Sequence, residues 1–482
     1  MSEAPERYDI VVRGGMLIDG TGAPPRRVDV AISGDRIVAV GDLGAVAGER
    51  EVDARGRVVA PGFIDAHTHD DRALLSDPDM TFKASQGVTT VVIGNCGSSL
   101  APLAPGRPTP PPLNLFGGPE WWRFPTVESY VDELARAPAA INSAILVGHA
   151  TLRTGVMDDL DRPATDAETA VMQERLEEGM AAGAIGFSTG LFYPPNRAAP
   201  TDEVVALAEV AARAGGIYTT HMRDEHDHVL DSLDEAFEIG SRAKLPVVVS
   251  HHKCAGPRNF GRTRETLDRI DGARRNQEVG LDVYPYTAGS SVLLPDLIQD
   301  SARVLITWSE PYPDTAGREL EAIAAEWGLD IYAAADRLQP AGAVYFMMDE
   351  EDVRRVLAYP HSMIGSDGSP HDERPHPRLW GTFPRVLGHY SRELGLFPLE
   401  IAVHKMTGLP AARFGLADRG IARPGAAADL VVFDPAAVID RATYDEPVQP
   451  AAGIDLVLAN GQEIWDGARS TGARPGRVLR RD

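Results

Sequence analysis

Val58-Val59-Ala60-Pro61-Gly62-Phe63-Ile64-Asp65-Ala66-His67-Thr68-His69 is an apolar run that ends in two histidines at alternate positions. Residues 58–64 have the length and composition of a buried strand. Alternate residues of a strand share a face, so His67 and His69 can reach one metal together. Similar short apolar runs follow at 89–93, 143–147, 183–187, 216–219, 246–249, 280–283 and 362–364, making eight with the first. Helix-like segments lie between many of them. Thr165-Asp166-Ala167-Glu168 is a capping box, and Met172, Leu176 and Met180 follow on one stripe. Thr201-Asp202-Glu203 opens another helix with its acids in the first turn. Strand and helix alternating eight times predict an α/β protein built on a (β/α)₈ TIM-like barrel over residues 62–414. The gap from 287 to 360 is too long for one connection, so an inserted lid subdomain is expected after strand seven, over about 287–345. The Pro-rich stretch 102–112 reads as a surface loop.

The ends of the chain have a different texture. Residues 8–12, 28–32 and 36–40 are short β-rich runs, punctuated by Gly14-Gly15, Asp19-Gly20 and Ser33-Gly34-Asp35. Residues 428–433 and 454–458 repeat the pattern, and Asn460-Gly461 reads as a tight hairpin turn before 462–465. Together they predict a small β-sandwich built from both termini, residues 1–61 and 415–482.

Composition bounds the function classes. A chain of 482 residues suits one large domain plus a smaller one. Hydrophobic residues make up 43% and charged residues 24%, as in an ordinary globular enzyme. A formal net charge of -23 repels phosphate backbones, so nucleic acid is not an expected partner. Two cysteines, Cys96 and Cys254, cannot build a disulfide framework and suit a reducing compartment. Met1-Ser2-Glu3-Ala4-Pro5-Glu6-Arg7 does not read as a secretory signal, and no apolar run is long enough to span a bilayer. A cytoplasmic enzyme with a small-molecule substrate and no membrane partner is the expectation; the oligomeric state is left open.

Barrel enzymes carry their chemistry at the C-terminal ends of the strands. Here those ends read His67-Thr68-His69, Asn95-Cys96-Gly97, His221-Met222-Arg223-Asp224, His251-His252-Lys253 and Ser366-Asp367-Gly368. Imidazole, thiolate and carboxylate are the usual zinc ligands. A carboxylate beside the metal can take a proton from water and later deliver it to a leaving amine, and Asp367 is placed for that. Each group alone has a plainer reading. A lone cysteine in an apolar strand is more often packed core than ligand, and Asp367 before Gly368 suits a turn. His252 should point away from the site, as neighbours in a strand alternate. His226 and His228 look like a solvated helix start, and His149, His389 and His404 have no assigned role. The coincidence of candidate groups at five strand ends favours a metal site.

Pro61-Gly62-Phe63-Ile64-Asp65-Ala66-His67-Thr68-His69 resembles the opening motif of the amidohydrolase superfamily. More narrowly, His67-Thr68-His69-Asp70-Asp71, Gly94-Asn95-Cys96-Gly97, Thr220-His221-Met222-Arg223-Asp224-Glu225, Ser250-His251-His252-Lys253 and Gly365-Ser366-Asp367-Gly368 resemble the N-acyl-D-amino-acid deacylases. Many superfamily members carry a bridging, carbamylated lysine on strand four, where this chain has Phe187-Ser188-Thr189-Gly190. The deacylase branch uses a strand-two cysteine instead, which matches Cys96. The resemblance implies one tight Zn²⁺ held by Cys96, His221 and His251, with a weaker second site at His67 and His69. It also implies a clamp for the substrate carboxylate from Tyr193, Lys253 and Arg378, and arginine offers carboxylates a two-pronged match. Tyr284 or Tyr286, ending strand seven, is a candidate to polarise the scissile carbonyl. Residues 289–294, which include Ser290, should lie near the substrate side chain. They hold no Arg or Lys, so a neutral, apolar D-side chain is expected. The rival readings are a cyclic-amide hydrolase of the dihydropyrimidinase or hydantoinase kind, and a non-catalytic scaffold.

Overall fold

The structure is a computed structural model that describes residues 7–106 and 109–481. Residues 1–6, which carry the reading of the chain's opening, and 107–108 of the Pro-rich stretch lie outside the described residues.

Eight parallel strands form the barrel wall in chain order: Phe63–Asp65, Val88–Ile93, Asn142–Gly148, Gly186–Gly190, Ile217–His221, Val247–Val249, Val279–Val283 and Ser362–Ile364. The last returns to the first through Ala66 N–H to Ile364 O at 3.2 Å and Asp367 N–H to His67 O at 2.7 Å. Parallel strands are covered on both faces, which is why they read as unbroken apolar runs. Val92, Ala144 and Leu146 pack into one core cluster, while Val91, Ile93, Ile145 and Val147 pack into another with the surrounding helices.

The stretch 58–64, expected as one strand, is two. Val58–Pro61 belongs to the terminal sheet, and Phe63–Asp65 to the barrel. Gly62 is the joint. Its N–H donates to Asp429 O at 2.9 Å, and a Cβ there would lie 2.2 Å from Thr89 Oγ1. Both halves are apolar and buried, so their composition hides the break.

The terminal β-sheet has eight strands drawn from both ends of the chain. Val58–Pro61 joins them, flanked by Tyr8–Leu17 and Leu430–Phe433. A bulge between Val12 and Gly15 lets Tyr8–Leu17 pair Gly48–Asp53 with its first half and Val58–Pro61 with its second. Gly48–Asp53 is mostly polar and mostly exposed, so hydrophobic patterning misses it. Val59, Leu430 and Val432 pack in this domain's own core, while Val58, Val431 and Phe433 pack against the barrel. Asn460 and Gly461 both have positive φ, +47° and +76°, as a two-residue hairpin turn of this hand demands.

After the seventh barrel strand come Ala288–Val292, Val304–Ser309 and Ala341–Phe346, a three-stranded antiparallel sheet. The helices Leu320–Trp327 and Ile331–Leu338 share a separate core with it, around Ile306, Ile323 and Leu338. This insertion brings Ser290, Tyr345 and Met347 over the strand ends. Among the described residues, no helix is long and apolar enough to cross a membrane.

Candidate metal centre

Three strand ends converge at the barrel mouth through backbone that non-glycine residues seldom adopt. Cys96, His251 and Asp367 have φ of +52°, +35° and +49°. Such strain persists only where the surroundings hold it, and it gathers at functional sites. Here it follows directly on barrel strands two, six and eight and turns their side chains toward one point.

Two sets of ligating atoms result. Those of Cys96, His221 and His251 lie within 4.8 Å of one another, as do those of His67, His69, Cys96 and Asp367. The Cys96 sulfur is 3.3 Å from both His67 Nε2 and His251 Nε2. Burial alone would push the Cys96 thiol up, but the imidazoles of His67 and His251 outweigh it and hold it well below the ordinary thiol range. His221 Nδ1 is buried without a hydrogen-bond partner. A thiolate and two imidazoles this close make a donor set that fits tetrahedral zinc with a position to spare.

The supporting carboxylates escaped the sequence reading. His251 Nδ1 is 3.0 Å from Glu225 Oε1, and Lys253 Nζ donates to both Glu225 oxygens at 2.7 Å. Asp282 accepts from the His251 backbone N–H at 2.8 Å and lies 3.3 Å from His67 Nδ1. Contacts of this kind fix ligand orientation. The only signal for Asp282 is a carboxylate in the middle of the apolar strand Val279–Val283. Lys83, fully buried, donates to Asp65 at 2.6 Å and Ser366 Oγ at 2.8 Å, fastening the loop that bears Asp367 to strand one.

Asp367 sits between the metal-ligand candidates and a cation. Its Oδ1 is 3.2 Å from His69 Nε2, and its Oδ2 is 2.8 Å from Arg378 Nη1. Burial would raise its pKa, but Arg378 and then His251 outweigh that and hold the carboxyl well below its usual range. The Arg378 approach is close but off the hydrogen-bond line, so Nε and Nη1 donate to no acceptor, while Nη2 donates to Ser290 O at 3.2 Å.

The other predicted residues are placed as follows. Tyr193 packs its ring 4.9 Å from that of His221, with its hydroxyl 3.1 Å from Ser291 Oγ. Tyr284 lies under Arg378, 4.7 Å from the guanidinium carbon to the ring, and its hydroxyl is 3.9 Å from Met348 sulfur. Tyr286 turns away toward Pro377 O. Ser290 Oγ donates to Ala343 O at 3.2 Å. His252 points out of the site and lies 2.7 Å from Thr266 Oγ1. His149, His389 and His404 pair with Glu203, Glu393 and Gly20 O, away from the centre. His226 corrects the expectation of a solvated helix start. It is largely buried against a cavity wall because the turn after strand five folds it inward, while His228 is exposed.

The amidohydrolase family profile matches residues 50–337 and 273–464. A D-aminoacylase of Alcaligenes xylosoxydans xylosoxydans is 56% identical over 474 residues, 98% of either chain. An N-acyl-D-aspartate deacylase of the same organism is 52% identical over 480 residues, 99% of this chain and 96% of that enzyme. A solved N-acyl-D-glutamate deacylase from Bordetella bronchiseptica superposes with a TM-score of 0.96 at 49% identity, covering 98% of this chain and all of that one. That enzyme was crystallised with zinc and a phosphonate mimic of the tetrahedral intermediate.

Proposed function

This chain belongs to the amidohydrolase family and hydrolyses linear amide bonds, and from that premise we propose that its substrates are N-acyl-D-amino acids with neutral, apolar side chains and its resident metal is zinc. The products are a carboxylate and a free D-amino acid. The observation that carries the reading is the Cys96 thiolate grouped with His221 and His251, the two histidines lining a cavity walled by Phe192, Leu297, Tyr345 and Met347. Lys253, the one Lys or Arg in that wall, pairs with Glu225 and is the partner left for the α-carboxylate, so no second cation remains for an acidic side chain.

Cys96, His221 and His251 would hold the tight zinc; His67 and His69 would serve a weaker second site. Zinc supplies Lewis-acid polarisation of the scissile carbonyl. Asp367, kept ionised by Arg378, takes a proton from the attacking water and passes it to the departing nitrogen. Burial holds the Tyr284 hydroxyl protonated, so it can donate to the carbonyl oxygen. The Arg378 guanidinium, whose Nε donates to no acceptor, would receive the α-carboxylate with Lys253 and Tyr193. The cyclic-amide reading would want a lysine on strand four, where Gly186–Gly190 has none. The scaffold reading leaves this donor set without a use. A cytoplasmic location belongs to the same proposal.

The test is a kcat/KM screen of N-acetyl-D- and N-acetyl-L-amino acids on zinc-loaded protein. The D-methionine, D-leucine and D-phenylalanine derivatives should lead. A series led by N-acetyl-D-glutamate would overturn the side-chain assignment, and one led by L-substrates would overturn the D-specificity.

A further inference from the structure

Two cavities leave the candidate metal centre and meet at Tyr193, Ser290, Ser291 and Asp367. One, of about 440 Å³, runs beneath the insertion past Phe192, Leu297, Tyr345 and Met347, with Lys253 and Tyr284 on its inner wall. The other, of about 490 Å³, runs the opposite way from His69 and Cys96 toward Leu115, Phe116 and Pro370. A linear amide bent over the metal must send its amino acid along one and its acyl group along the other.

Charge separates the two. The 440 Å³ arm has Lys253 in its wall, whereas among the described residues the lining of the 490 Å³ arm contains no Lys or Arg; the Asp367 carboxylate borders both. A buried carboxylate without a cationic partner is strongly disfavoured, so the amino-acid half belongs with Lys253. An uncharged acyl chain meets no such penalty in the other arm. Ser98 Oγ and His371 Nε2 are buried there without partners. His371 is kept neutral by burial and by Arg72, so neither group supplies a counter-charge.

The wall of this arm is built rather than loose. Leu113 and Phe116 anchor the turn Leu113–Phe116 in the core, with the Phe116 ring 5.9 Å from Trp122. Leu115, between them, is half-buried and borders the cavity.

We propose that the 490 Å³ arm is the acyl subsite, that Leu115 limits its length, and that it selects butyryl-to-hexanoyl or arylacetyl groups over acetyl. This rests on the deacylase reading. Hexanoyl carries four more CH₂ groups than acetyl, and burying them in such an arm should raise kcat/KM by roughly two decades.

The experiment measures kcat/KM for N-acetyl-, N-butyryl-, N-hexanoyl- and N-phenylacetyl-D-methionine, and for N-acetyl-D-alanine, on zinc-loaded wild type, Leu115→Trp and Leu115→Phe. Circular dichroism checks the fold, and the smaller Phe substitution keeps the test decisive if Trp does not fit. In the variants the hexanoyl-to-acetyl ratio should fall by about tenfold, while the D-methionine-to-D-alanine ratio stays within about twofold. A variant that shifts the D-methionine-to-D-alanine ratio and spares the acyl ratio would show that the arms are assigned in reverse. An acyl ratio equal in all three proteins, or a wild type that prefers acetyl, would overturn the subsite. Failure of wild type on every N-acyl-D-amino acid would instead sink the deacylase reading, and the subsite with it.

Discussion

Two candidate ligand groups share Cys96 and are braced in opposite ways. On one side, His251 is backed by Glu225, which Lys253 holds in turn, and all the members are buried. On the other, His69 is partly exposed while His67 and Asp367 are buried, and Asp367 is drawn toward Arg378. The first arrangement suits metal affinity, since buried donors with fixed orientation lose little on binding. The second suits proton transfer, since a carboxylate held ionised by a cation is ready to accept. A carboxylate engaged as a metal ligand is a weaker base, so the two groups are unequal by construction.

The largest expected effect comes from the atom they share. Cys96→Ala should purify without stoichiometric zinc and lose on the order of three decades or more in kcat/KM. Full zinc content with wild-type turnover would end the distinction between the groups.

Asp367→Asn separates affinity from proton transfer. Zinc should stay bound while kcat falls by roughly two decades or more. If kcat stays within a few-fold of wild type, another residue is the base.

Glu225→Gln tests the brace. It leaves Lys253 without its counter-charge, and zinc affinity measured against a competing chelator should weaken by roughly 10–100-fold. An unchanged affinity would mean that Glu225 serves Lys253 alone. The smallest effect concerns the weaker group. A several-fold excess of zinc should depress kcat by about a few-fold, because the second ion engages Asp367. Activity that climbs with the second equivalent would reverse the ranking of the groups.

Much of this was legible in the sequence, and the gaps have physical causes. Alternating apolar runs report burial, so the eight barrel strands stand out. A run buried in two different sheets reports the same burial twice, which is why the break at Gly62 is invisible. Groups that touch the reaction centre follow strand ends and can be found there. Those that act from behind, Glu225, Asp282 and Lys83, owe their places to contacts across 26, 31 and 18 residues or more. His226 and His228 are two residues apart and share a composition. Only the folded turn decides that one is largely buried and the other exposed.

The central claim is that a thiolate from strand two and imidazoles from strands five and six hold the tight zinc. X-ray absorption at the zinc edge of protein loaded with one equivalent measures this directly. The account predicts one sulfur at about 2.3 Å beside nitrogen and oxygen ligands near 2.0–2.1 Å, with the sulfur shell lost in Cys96→Ser. A shell of nitrogen and oxygen alone in the wild type, at full zinc content, would contradict it.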